Sequence, residues 1–108
     1  MEENEIKAHR HFVSNIEQSI RLANREVINP LIDPFTHERI LAFAVEVAKL
    51  RGAYLKAALD VGQRKKARPE PSQLKALREE FEEAREAFAA LMTAIEREYV
   101  DLPSVEQS

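Results

Sequence analysis

The chain has no cysteine and only two glycines among its 108 residues, and these absences exclude several kinds of protein. Without cysteine there is no disulfide framework, no thiol nucleophile and no cysteine-ligated zinc site. Neither glycine lies in a glycine-rich loop, so the sequence contains no phosphate-binding loop of that type. We therefore expect one domain that is stabilised by its apolar core without covalent or metal cross-links.

Long apolar runs and a strong net charge are also absent. The longest apolar run extends from Ile40 to Val45, far short of the roughly 20 residues that cross a bilayer. The first ten residues, MEENEIKAHR, lack the apolar core of a secretory signal peptide. The formal net charge of -3 argues mildly against undirected nucleic-acid binding. These features predict a cytoplasmic protein that does not enter a membrane.

Five prolines divide the sequence into three long segments, each with an apolar repeat of seven residues. The repeat predicts helices over about residues 3–28, 35–63 and 72–99. We expect residues 1–100 to form one domain and residues 101–108 to form a disordered tail. The seam positions of the three segments are, in order, Ile6, His9, Val13, Ile16, Ile20, Ala23 and Val27; Ile40, Phe43, Val47, Leu50, Tyr54, Ala57 and Val61; and Leu74, Leu77, Phe81, Ala84, Phe88, Leu91 and Ile95.

Short connections between long helices favour antiparallel neighbours, so the predicted fold is an all-α, antiparallel up-down-up three-helix bundle. The second and third seams align when Tyr54 faces Phe81 and Val47 faces Phe88, although a shift by half a heptad fits nearly as well. At the helix starts, Asp33 before Pro34 is a candidate N-cap, with Thr36 as its competitor, and Ser72 is the candidate for the third helix.

The second helix carries more apolar surface than one seam uses. A further face, the helix-two stripe, combines small residues with larger aliphatic ones and would let another helix approach closely. It consists of Leu41, Ala44, Val45, Ala48, Gly52, Leu55 and Leu59. We interpret it as an interaction surface, most simply for a homodimer or for a helix of another protein. The alternative is that the first and third helices cover it as internal core.

Two charged clusters suggest other partners. The basic cluster, Arg64, Lys65, Lys66 and Arg68, is a candidate contact for polyanions, which makes nucleic-acid accessory binding an alternative function. Its position after a helix end also explains it, because cations there interact with the last carbonyl groups. An acidic cluster on the third helix is a solvated face or a contact for a basic partner: Glu79, Glu82, Glu83 and Glu86.

Catalytic and metal-binding patterns are weak. His9 and His11 are two residues apart and lie on different sides of a helix, whereas Glu5 and His9 supply too few ligands for a zinc site. His37 beside Glu38 is the best available dyad, but adjacent helical residues point about 100° apart. We therefore predict no enzyme activity, no metal and no cofactor, and keep a small-ligand or metal-binding helical bundle as the remaining alternative.

Overall fold

The computed structural model describes residues 2–63 and 68–102, and every regular element in these ranges is an α-helix. The elements are α1 (Glu2–Ile32), α2 (His37–Val61) and α3 (Pro71–Glu96). At 1.5 Å per residue they are about 46, 37 and 39 Å long. The all-α, three-helix prediction is confirmed, and the arrangement is compatible with the up-down-up bundle.

The core lies between α2 and α3, which pack against each other as an antiparallel helical hairpin. The predicted seam positions of both helices are buried or half-buried, and Val47 is only 5% exposed. The Tyr54 and Phe81 rings stack with centroids 6.2 Å apart. About two to three helical turns further along the hairpin, the Phe43 and Phe88 rings meet edge-on with centroids 5.6 Å apart. The Tyr54–Phe81 pair is one that the first of the two predicted registers places face to face, whereas the Phe43–Phe88 pair is one that the half-heptad shift brings together.

The start of α2 is set by Thr36. Its Oγ1 atom accepts a hydrogen bond from the backbone N–H of Arg39 at 3.2 Å, which satisfies one of the donors that a helix start leaves free. Thr36 is therefore the N-cap, and the competing assignment to Asp33 is wrong. The helix begins at His37, two residues later than predicted, because the cap itself is not helical.

The start of α3 lies one residue earlier than predicted. Pro71 is the first helical residue, where its missing N–H costs nothing, and Glu70 precedes it as the N-cap. The backbone N–H of Glu70 donates to Oε1 of Gln73 at 3.0 Å. This reciprocal arrangement is a capping box, so the N-cap assignment to Ser72 is wrong.

At its other end, α3 stops three residues before the predicted boundary in a Schellman motif. The N–H of Tyr99 donates to the carbonyl of Ala94 at 2.9 Å, and the N–H of Glu98 donates to that of Ile95 at 3.1 Å. The motif needs one residue in the left-handed conformation, and Glu98 adopts this conformation with a φ of 62°. A heptad pattern continues through such a reversal because the reversal depends on backbone angles rather than on apolar spacing.

The segment after α3 attaches to the C-terminal part of α1. Val100 is 2% exposed, and its neighbour Asp101 donates its backbone N–H to Oδ1 of Asn29 at 2.8 Å. The Arg25 guanidinium donates to the carbonyl of Glu98 at 2.8 Å and also binds the Asp101 carboxylate. Asp101, assigned from sequence to the tail, thus contacts a helix, whereas residues 103–108 lie outside the described residues.

α1 ends four residues later than predicted. From the α1–α2 connection, the helix extends away from the hairpin. Pro30 falls in its last turn, where the ring removes a single helical hydrogen bond, so the helix continues to Ile32. The molecule is 74 Å long, close to the summed length of α1 and the hairpin, about 85 Å. Apart from the contacts near its C-terminal part, α1 is solvent-exposed along its length.

The resulting shape is far from compact. Its radius of gyration is 21.4 Å, whereas a compact chain of this length has a value of about 13 Å. Its accessible surface is 8880 Å², against roughly 6,100 Å² for a typical monomer of this mass. One copy of the chain therefore leaves much more surface in water than folded monomers usually do.

Candidate interaction surfaces

The helix-two stripe lies on the side of α2 that faces away from α3. Ala44 is half-buried and the other six stripe residues are exposed, the larger ones from Val45 at 45% to Leu59 at 72%. A Cβ atom added to Gly52 would meet nothing within 4 Å. Within one chain, neither α1 nor α3 covers this surface.

The spacing of the stripe is that of a second heptad seam. Leu41, Val45, Ala48, Gly52 and Leu55 follow one another at alternating intervals of four and three residues, and Leu59 continues the series. This alternation keeps side chains on one line along a helix and is typical of surfaces that pack against another helix. α2 thus has two seams on roughly opposite sides, of which α3 occupies one.

α1 presents a second apolar face, which is exposed although Arg97 and Tyr99 line a cleft beside its Ile20. Its seam residues from Ile6 to Val27 are exposed, with Val27 at 64%. Phe12 lies beside the seam and is also 64% exposed. Sequence reasoning assigned this seam to the core of a single chain and so missed it as an interaction surface. A heptad pattern shows that a helix packs against something, but it does not show whether the partner belongs to the same chain.

Charged side chains border both faces. The residues beside the α1 seam are mainly acidic, with Glu5, Glu17 and Glu26 opposed by Arg10 alone, and those beside the stripe are basic. The basic residues are Lys49, Arg51 and Lys56. Lys56 also forms an ion pair with Asp60 at 3.0 Å, and the Arg51 guanidinium lies 5.2 Å from the centre of the Phe81 ring.

Of the two charged clusters, the structure describes the acidic one and Arg68 of the basic one. In the basic cluster, Arg64, Lys65 and Lys66 fall outside the described residues, and Arg68 donates from Nε to the carbonyl of Val61 at 2.9 Å. That contact is the helix-end interaction which explains such cations without a nucleic acid. The acidic cluster on α3 is exposed, and its Glu79 lies 3.8 Å from Lys75 in an ion pair.

A cleft of about 520 Å³ lies where the α1–α2 connection meets the hairpin. Its walls are mostly apolar and include Phe35, Phe43 and Leu91, with Arg39 as the charged member. The Arg39 guanidinium is already engaged, since it donates to the carbonyl groups of Ile32 and Pro34. Among the residues that the structure describes, no acid, base and nucleophile converge on this cleft.

The predicted chemical candidates remain dispersed. His9 and Glu5 line a shallow surface cleft formed by the N-terminal part of α1 alone, and His37 and Glu38 are exposed at the start of α2. Within residues 2–63 and 68–102, no group of three or more histidine, aspartate or glutamate side chains is placed to hold a metal ion. None of the helices in those ranges combines the length and apolarity that a bilayer crossing requires.

Comparisons with protein-family models, with curated proteins and with solved structures give no match for this chain.

Proposed function

We propose that the chain is a non-catalytic, cytoplasmic protein–protein interaction protein, of a regulatory or adaptor type, that acts through the helix-two stripe and assembles as a homodimer. The stripe offers apolar side chains on a rigid helix, and small residues at its centre allow a second helix to come close. Association through such a face is driven by removing apolar surface from water.

The exposure of the stripe is the observation that carries this proposal. Isolated exposed apolar residues are ordinary, but here they form a continuous line of about 27 Å from Leu41 to Leu59. Contiguous apolar surfaces of this kind mark interaction sites in soluble proteins. The large accessible surface of the single chain supports the same interpretation.

The experiment that tests the proposal is light scattering after size exclusion, at two protein concentrations and moderate salt. We expect the mass of a dimer for the unmodified chain and the mass of a monomer for Ala48→Glu, because the new carboxylate would have to be buried without a partner. Helicity measured by circular dichroism should be unchanged, since Ala48 is exposed in the single chain.

The matched control is Ala53→Glu, which makes the same substitution five residues further along α2. Position 53 is exposed and lies about 140° around the helix from position 48, outside the stripe. This variant should remain a dimer. A monomeric unmodified chain, or equal loss of dimer in both variants, would contradict assembly through the stripe. Unfolding of Ala48→Glu would instead identify the stripe as internal core.

A further inference from the structure

We propose that α1 of one copy packs antiparallel on the helix-two stripe of a second copy, and that the second copy returns the same contact. This inference rests on the proposed function and specifies which surfaces meet. It assigns one occupant to each of the two unpartnered apolar faces, whereas a dimer that pairs two stripes would leave both copies of the α1 face in water.

The direction of α1 makes the exchange possible. Since α1 leaves the hairpin at the connection formed by residues 33–36 and extends away from it, a twofold axis near that connection brings each α1 alongside the partner's α2. The axis reverses the second copy, so the two helices run in opposite directions. The α1 seam from Ile6 to Val27 is about 32 Å long, which matches the 27 Å stripe.

The side-chain sizes of the two faces match in this antiparallel arrangement. When Val13 lies opposite Leu55 of the second copy, Ile16 falls opposite Gly52 and Ile20 opposite Ala48. The larger residues of α1 thus meet the small centre of the stripe. In the same register, the larger residues of the stripe meet smaller ones towards its N-terminal end, with Ala23 opposite Val45 and Val27 opposite Leu41.

Charge favours the same partner. The α1 seam is bordered mainly by glutamates and the stripe by basic residues, so contact between these unlike faces is favoured by their net charge. In the register given above, Glu17 lies near Lys49, whereas Arg10 lies near Lys56, whose ammonium group is already paired with Asp60. Pairing two stripes would instead place basic borders against each other. Like charges across an interface oppose the wrong pairing more than opposite charges strengthen the right one.

The buried area is sufficient for a stable dimer. A contact about 27 Å long on a helix about 10 Å wide takes roughly 300 Å² from each face. Because the exchange is reciprocal, four faces are covered, and together they remove roughly 1,200 Å² from water. Specific protein interfaces begin at about this size. Each chain contributes roughly 600 Å² of this area, about a fifth of the surface that it exposes beyond a typical monomer.

The absence of cysteine allows a direct test by disulfide cross-linking. The chains Ile16→Cys and Gly52→Cys are prepared separately, mixed as reduced proteins, and oxidised with a glutathione redox buffer. The two substitutions together roughly conserve volume at the proposed contact. We expect the mixed disulfide to form several times faster than either self-linked product, as judged on a non-reducing gel and by intact mass. The control mixture replaces Gly52→Cys with Ala53→Cys, which lies off the stripe and should cross-link no faster than background.

Each other outcome overturns the inference in a distinguishable way. Dominant self-linking of Gly52→Cys would show that two stripes pair, so the proposed function would stand and the exchange would fail. A double variant Ile16→Cys/Gly52→Cys that closes within one chain, with a monomeric mass by light scattering, would show that α1 folds back on its own α2. That result would also contradict the proposed homodimer. A dimeric mass without a mixed disulfide would locate the interface elsewhere.

Discussion

Glu98→Gly is expected to stabilise the protein. Glu98 has a φ of 62° in the Schellman motif that ends α3. A residue with a Cβ atom pays about 1–2 kcal/mol for this left-handed conformation, and glycine does not. Glycine also loses more freedom on folding, which costs about 0.5–1 kcal/mol. The net gain is therefore about 0.5–1 kcal/mol.

The gain is measured by thermal unfolding followed by circular dichroism. For a chain of this size, 1 kcal/mol corresponds to a shift of about 4–8 °C, so Glu98→Gly should raise the Tm by roughly 2–8 °C. All variants are compared at one protein concentration, because the proposed dimer would make the Tm depend on concentration. The contact from Arg25 to the carbonyl of residue 98 is retained, since it involves only the backbone.

The control Glu98→Ala removes the carboxylate and keeps the Cβ atom. It should give no increase in Tm, because the backbone conformation remains unfavourable for alanine. An equal increase in both variants would trace the effect to the charge of the side chain. A decrease in Glu98→Gly would refute the assignment of residue 98 as the left-handed position of the cap.

Three further changes test other parts of the structure. Gly52→Ala should raise the free energy of unfolding by about 0.5–1 kcal/mol at concentrations too low for association, because alanine favours the helix more than glycine does and the added methyl group meets nothing within 4 Å. A lower free energy of unfolding, measured by urea denaturation, would show that this surface is covered within the chain. Val100→Ala should lower the same quantity by about 1–3 kcal/mol, since Val100 is 2% exposed, and an unchanged urea midpoint would mean that this segment does not support the fold. Asp101→Ala should cost about 0.5–1.5 kcal/mol through loss of its side-chain contacts with Arg25 and Asn29, and hydrogen exchange should show faster exchange at the C-terminal end of α1 than in the unmodified chain.

The heptad pattern predicted the helices α2 and α3 and the faces by which they pack, and it left their register open within half a heptad. Periodic apolar spacing determines which side of a helix is buried, and the aromatic pair Tyr54–Phe81 follows from aligning the two seams. Helix ends were harder to predict, because several residues near each boundary have capping chemistry. Thr36 and Glu70 prevailed over Asp33 and Ser72 through backbone geometry that composition does not reveal.

The position of α1 was beyond what periodicity determines. The seam from Ile6 to Val27 predicted the apolar face, but its exposure depends on how the chain leaves the connection. That exit rests on the extension of α1 through Pro30 and on the attachment of Asp101 to Arg25 and Asn29. Each of these two features depends on a few single residues, and neither leaves a repeating signal in the sequence. The helix-two stripe, in contrast, was visible from its composition, and the structure leaves it exposed.

The contact between Arg39 and the α1–α2 connection has a consequence for the evolution of the proposed dimer. Its guanidinium holds two carbonyl groups of the connection, those of Ile32 and Pro34, from a position on α2. The bend between the two helices is thereby controlled by a side chain that belongs to neither apolar face. In the proposed exchange, a substitution of Arg39 is therefore expected to change the direction in which α1 leaves the connection, while every residue of the contacting faces stays the same.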